Sequence, residues 1–352
     1  MGAKKSKKSD AAQKWEGGLI GLANTVAQSR QADILIYAGS LYPFWDFQVG
    51  ERLRQKKEGP NLLAVLTTYG GSADSAYRLA RWIQDIYGED GTTFLLVDTF
   101  CKSAGTLLAI GFEEIIMSPD AEFGPLDVQL RKADEIEERT SGLTATQAMS
   151  TLRMEAYQSF EQFLVKMRRK TGISTKIASE VAAALTVGLF SPIYEQMDPI
   201  RLGENQRAML IADQYGSRLV ERSGSLKDKA LSKLIEDYPS HEFVIDLAEA
   251  GKIFERLQTT NEKERALAEY LRVTTVQHCC FEGEGDEQKP PFIRFWNRTE
   301  LSAAVASESR EKSEAQDETK VNENLRAGDD QAESHVGATD STQAIADDHK
   351  TG

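Results

Sequence analysis

Cysteine and histidine are scarce in this chain: three cysteines (Cys101, Cys279 and Cys280) and four histidines occur in 352 residues. Three cysteines, two of them adjacent, cannot build a disulfide framework, and the chain reads as one that works in a reducing, cytoplasmic compartment. Neither HExxH nor CxxC spacing is present. Only the consecutive His278-Cys279-Cys280 gathers soft ligands, and sequence neighbours seldom converge on one ion, so no metal is expected. No GxxxxGKS/T phosphate cradle occurs, which excludes nucleotide hydrolysis by this route, and no cofactor is expected. No uninterrupted apolar run approaches the roughly 18 residues a membrane helix requires, so no transmembrane segment is expected. Basic residues are in deficit, 42 against 55 acidic ones, for a net charge of -13. A field of that sign repels phosphate backbones and argues against nucleic acid as a partner.

The acidic excess is concentrated at one end. From Leu301 to Gly352 there are twelve acidic and five basic residues, no aromatic residue and no apolar period, so 301–352 reads as a disordered acidic tail. At the other end, MGAKKSKKSDAAQK carries five lysines and one acid. Gly2 and Ser6 fit a myristoylation pattern with the lysines as second signal, while the plainer reading of residues 1–30 is a flexible basic leader.

Between the ends, strand and helix patterns alternate. Asp33–Ala38, Leu62–Thr68, Thr93–Thr99 and Glu114–Met117 are short, continuously apolar β-type runs. Helical patterns fall between them at Phe47–Gln55, at Ala73–Tyr87 and, rich in small residues, at Thr106–Gly111. This pacing predicts an α/β fold with a parallel sheet covered on both faces. Longer helices are predicted at Met149–Lys170, Ser174–Leu185, Glu204–Leu219 and Asp246–Leu271, the last highly charged and suited to a surface or partner contact.

Two strand ends carry possible chemistry. After the second run, Tyr69-Gly70-Gly71-Ser72 is a glycine turn leading into a helix, with backbone N–H groups able to face a developing oxyanion. After the third, Lys102-Ser103-Ala104-Gly105-Thr106 puts a serine at a strand-to-helix turn, where its commonest use is as a helix N-cap. Neighbouring parallel strands end on the same edge, which is where ligands bind, so the two turns together form a possible nucleophile facing an oxyanion hole.

These residues, with Gly124-Pro125-Leu126-Asp127-Val128-Gln129, resemble the Clp/crotonase superfamily, and within it the signal-peptide-peptidase-like branch called the serine dehydrogenase proteinase family. The resemblance covers about Asp33 to Leu219. It implies a spiral of ββα units, hydrolysis of a polypeptide substrate, Ser103 as nucleophile, an oxyanion hole at Gly70, Gly71 and Ala104, and Asp127 and Gln129 lining the site. It also implies a homo-oligomer, with large folded substrates needing a separate unfolding ATPase. The domain layout that follows is a peptidase domain over 31–222 and a helical C-terminal extension over 223–300.

The base is open. Clp proteases place a histidine about two dozen residues after the serine, where this chain has Leu126 and Asp127; signal peptide peptidases use lysine. A lysine of ordinary pKa is neutral about once in 2,500 at pH 7, and lowering it to about 8 makes roughly a tenth neutral. Burial must supply about 3 kcal/mol for that shift. Lys132, Lys102 and Lys166 are candidates, as is His241 if the C-terminal segment folds back over the site. Lys132 sits among solvent-type neighbours, Lys102 adjoins the serine but successive side chains diverge, and Lys166 lies in a cationic helix. Two other readings compete: a non-catalytic Clp-fold binding module that has lost its base, and a crotonase-like acyl-CoA enzyme, which would favour carboxylates and basic surroundings.

Overall fold

The structure, a computed structural model, describes residues 2–126, 129–131, 139–280, 289–307 and 310. The chain opens with α1 (Gly2–Arg30), then β1 (Ala32–Ala38), α2 (Trp45–Lys56), β2 (Asn61–Thr67), α3 (Ala73–Tyr87), β3 (Thr93–Val97), β4 (Phe100–Cys101) and α4 (Ala104–Ile110). There follow β5 (Glu114–Met117), β6 (Glu122–Phe123), β7 (Gln129–Arg131), β8 (Arg139–Ser141), α5 (Gly142–Thr171), α6 (Thr175–Tyr194) and α7 (Pro199–Ser223). The last elements are α8 (Ala230–Ser232), running into a π turn at Lys233–Asp237, then α9 (Leu247–Ala250), β9 (Leu257–Thr259), α10 (Glu262–Cys280) and β10 (Phe292–Trp296).

The main sheet has the order β10-β1-β2-β3-β5-β9, parallel except where β10 meets β1. Its central strands are buried on both faces, which is why they read as unbroken apolar runs. Side chains alternate between two cores. Leu35, Tyr37, Leu62, Ala64, Leu66, Leu95 and Val97 meet α3, α4 and α7, whereas Ile34, Ile36, Leu63, Val65, Phe94 and Leu96 meet α1 and α10.

The winding repeats one plan: a main-sheet strand, a short rung in a second layer, then a helix. The rungs are Leu41 after β1, Thr68 to Gly71 after β2, β4 after β3 and, opening a fourth turn, β6 after β5. Leu41 bridges to Gly71, Thr68 to Cys101, and β4 pairs with β6. This is an α/β fold with a mostly parallel main sheet and a second layer of short rungs, wound in the ββα order that the resemblance implies.

Five expectations need correction. Residues 15–30 are not a floppy leader: Leu19, Ala23, Val26 and Ala27 of α1 are buried against the sheet and α10. That apolar stripe, at helical spacing, starts just behind the lysines that dominate the composition of the first fourteen residues. The 223–300 segment is not merely helical, because β9 and β10 complete both edges of the sheet. The helix expected over Asp246–Leu271 is broken by β9, only three residues long, too short to show a period of two. The stretch 298–307 is helical with Leu301 buried, so the acidic tail cannot begin at 301; residues 311–352 lie outside the described residues. Finally, α6 is long and apolar enough to cross a membrane by length and composition, with a mean hydropathy of 1.4 over an 18-residue window. Ser179, Glu180 and Thr186 interrupt the apolar run without bringing its average below what a membrane-crossing helix requires.

The docking of α1 predicts a large effect from a small change. Leu19→Ala empties a fully buried position, so urea unfolding should show a loss of about 2–4 kcal/mol. A leader without tertiary contacts would give no change.

Candidate active site

β2 and β3 pair in parallel, with Val65 opposite Leu96, and their carboxyl ends deliver the two turns side by side. The parallel rung between Thr68 and Cys101 extends that alignment, since the Thr68 amide donates to Phe100 O and the Lys102 amide to Thr68 O. Ser103 follows directly.

Ser103 has φ 53° and ψ −119°, a region that non-glycine residues avoid at a cost of about 1–3 kcal/mol. It occupies the N-cap position of α4, yet its hydroxyl makes no capping hydrogen bond. The commonest structural use of a serine here is therefore not realised. Oγ has no hydrogen-bond partner among the described residues. A strained serine at a strand-to-helix turn is the geometry in which a nucleophile stands clear of its backbone.

Gly70 and Gly71 explain how a backbone comes so near. Gly70 has φ +117°, and a Cβ built there would lie 2.9 Å from Ser103 Cβ and 3.2 Å from the Ala104 nitrogen. Gly71 has φ +140°, and a Cβ there would lie 2.3 Å from Leu41 O. The two amides differ. Gly70 donates to Thr68 Oγ1 at 3.0 Å, so it shapes the turn and does not face an oxyanion. On the rung to Leu41, Gly70 O and the Ser72 amide are the bonded groups, which turns the Gly71 N–H away from Leu41. The Gly71 and Ala104 amides have no acceptor among the described residues.

The other sequence candidates divide. Lys102 Nζ is paired with Glu122 Oε1 at 2.7 Å, and its stem lies against Gly124, which directs it toward β6. Lys166 is exposed on α5. Lys132 and Asp127 lie outside the described residues, and Gln129 is a backbone partner of Ser141 in the β7–β8 pair. His241 belongs to a loop that does return to the serine edge of the fold. Phe123 and Ile245 exchange bonds of 2.9 and 3.0 Å, and the Leu126 amide donates to Leu234 O. Among the described residues no group of His, Cys, Asp and Glu could hold a metal ion.

The sequence gives no role of their own to Thr68, Leu41, Thr106 or Glu122. Buried Thr68 fixes Gly70, Leu41 supplies the rung that orients Gly71, and Thr106 Oγ1 ties Cys101 O to Gly124 O at 3.1 and 2.7 Å. One signal was available: Gly39-Ser40-Leu41 follows β1 as Tyr69-Gly70-Gly71 follows β2. Cys101, two residues before the serine, is no rival nucleophile, because complete burial pushes its thiol pKa up.

Electrostatics hold the returning loop. Glu249 accepts from Lys233, Lys252 and Tyr238, and these bonds, with Lys233 first, lower its pKa to about 2 from 4.5. A carboxylate depressed in the folded state stabilises above its unfolded pKa and loses that contribution as pH falls toward the folded value. Glu249→Gln should therefore cost about 1 kcal/mol at pH 6, after allowance for solvent screening. The gap from wild type in thermal unfolding should narrow between pH 4.5 and 3; a gap independent of pH would assign it to packing instead.

No protein-family model matches this chain, and no curated protein does. Among solved structures the chain is similar to a serine-to-alanine mutant of 1510-N, a membrane-bound stomatin-specific protease. That likeness has 17% identity and a TM-score of 0.27, over 41% of this chain and 66% of the other. It is also similar to an asparagine-to-aspartate mutant of ClpP1 from Listeria monocytogenes, at 14% identity and a TM-score of 0.24, over 45% of this chain and 82% of that one.

Proposed function

We propose that this chain is a serine peptidase of the Clp/crotonase superfamily, on the serine dehydrogenase proteinase side of its signal-peptide-peptidase-like branch. The observation that carries the reading is the strained, uncapped Ser103 held against the backbone of Gly70, with the Gly71 and Ala104 amides lacking an acceptor among the described residues. Ser103 Oγ attacks the carbonyl carbon of a peptide bond, its proton passes to a base, and the oxygen that becomes negative is held by the two amides. The base then protonates the departing amine. Water, deprotonated by the same base, cleaves the ester and restores the hydroxyl. In this reading the base is a lysine, and Lys132 is the candidate left once Lys102 is committed to Glu122. The substrate class is polypeptide; large folded substrates would need a separate unfolding ATPase.

A fluorophosphonate probe tests the nucleophile without a known substrate. Wild type should form one covalent adduct, and Ser103→Ala none. Lys132→Ala should lose the adduct, while Lys102→Ala and His241→Ala retain it. Labelling that survives Ser103→Ala, or never appears in wild type, removes the peptidase reading. What then stands is the non-catalytic binding module.

A further inference from the structure

We propose that α6 is a membrane-contacting helix, inserted into an anionic lipid bilayer with the α5–α6 turn against its headgroups. At 1.5 Å per residue its 20 residues reach about 30 Å. Only Ala178 and Ala182 of α6 are buried, which separates it from the apolar core helix of a globular domain. Its exposed apolar side chains do not form one stripe. Val187 and Leu189 are 62% and 56% exposed, and two helical positions place them about 200° apart around the axis. Ile177, Leu185 and Ile193 extend this surface along the helix. Docking against a second copy of the chain covers one face of a helix, whereas acyl chains surround several. An apolar surface on opposite sides therefore favours lipid.

Charge identifies the kind of lipid. Between residues 162 and 179 there are five cations (Lys166, Arg168, Arg169, Lys170 and Lys176) and no acid, in a chain of net charge -13. All five are exposed, and none forms an ion pair among the described residues. They sit at the end of α5, around the turn and at the start of α6, beside the apolar surface. A basic cluster adjoining an apolar helix is complementary to acidic headgroups, at about 1 kcal/mol for each cation near the surface.

The full chain should be tested by flotation with vesicles of phosphatidylcholine alone and with a third phosphatidylserine. Binding to the anionic vesicles is expected, weakening as salt rises. Arg168→Gln/Arg169→Gln/Lys170→Gln should reduce it by about a hundredfold, as three lost cations imply. Val187→Glu/Leu189→Glu should abolish it, with circular dichroism and Ser103 labelling unchanged, since the exposed positions support neither the core nor the site. No flotation with either vesicle overturns the proposal. So does light scattering in which the Glu variant breaks down a wild-type oligomer that never floats; that result assigns the face to a second copy.

Discussion

Ser103→Gly is expected to form no fluorophosphonate adduct and, in the same protein, to unfold about 2 °C later than Ser103→Ala. Both variants remove the hydroxyl, so both lose labelling. Neither loses a hydrogen bond among the described residues, because Ser103 Oγ makes none there. They differ in backbone. Alanine must keep φ 53° and its strain of about 1–3 kcal/mol, whereas glycine adopts that conformation freely. Glycine also widens the unfolded ensemble by about 0.5–1 kcal/mol, leaving a net gain of about 1 kcal/mol. In a chain of this size that gain is about 2 °C. Differential scanning calorimetry of the three proteins reads it directly. If Ser103→Gly is the least stable of the three, the backbone at this turn is relaxed, and the strained-nucleophile reading goes with it.

How much of this was legible beforehand follows from the range of the forces involved. The strands β1, β2, β3 and β5 were readable because burial on both faces forces continuous apolar runs, and α3 because its apolar positions recur at helical spacing above the Ser72 cap. The approach of the Gly70 turn to Ser103 needed only one inference, that parallel neighbours end on one edge. The register of Leu62 with Thr93 bears it out. What could not be read depended on distant pairing. β9 is three residues that become a strand only because β5 offers an open edge, with Met117 beside Thr259. The pairing of Lys102 with Glu122 follows from the β4–β6 register, which sets Phe100 opposite Glu122, and nothing local to either residue announces it. α1 was hidden for a different reason: its lysines advertise solvent, while Leu19 and Val26 carry the packing. Lys132, the proposed base, lies outside the described residues.

Gly71→Ala should slow fluorophosphonate labelling by about 10²–10³ while Ser103 itself is untouched, because the attacked phosphorus develops the same negative oxygen as a carbonyl. The added methyl would lie 2.3 Å from Leu41 O and 2.7 Å from Leu41 N, both backbone atoms that cannot rotate away. Either the rung to Leu41 opens or the peptide before residue 71 turns, and both movements take the N–H off the position of the oxyanion. At φ +140° the alanine is strained as well, so a fall in Tm is expected beside the loss of rate. Rate and folding are separated by labelling well below the variant's own Tm, with circular dichroism confirming the folded fraction. Gly70→Ala provides the contrast. Its methyl would press on Ser103 Cβ at 2.9 Å, and the Gly70 amide, bound to Thr68, is no part of the hole. That variant should slow labelling by displacing the nucleophile, and Ser103→Cys in the same background should then slow in proportion with an alkylating probe, which needs no oxyanion hole. For Gly71→Ala the alkylating probe should react with Ser103→Cys at nearly the unaltered rate. If Gly71→Ala is folded and labels with the fluorophosphonate within about threefold of wild type, the amide beside Ser103 stabilises no developing charge, and the hole must be sought elsewhere on this edge.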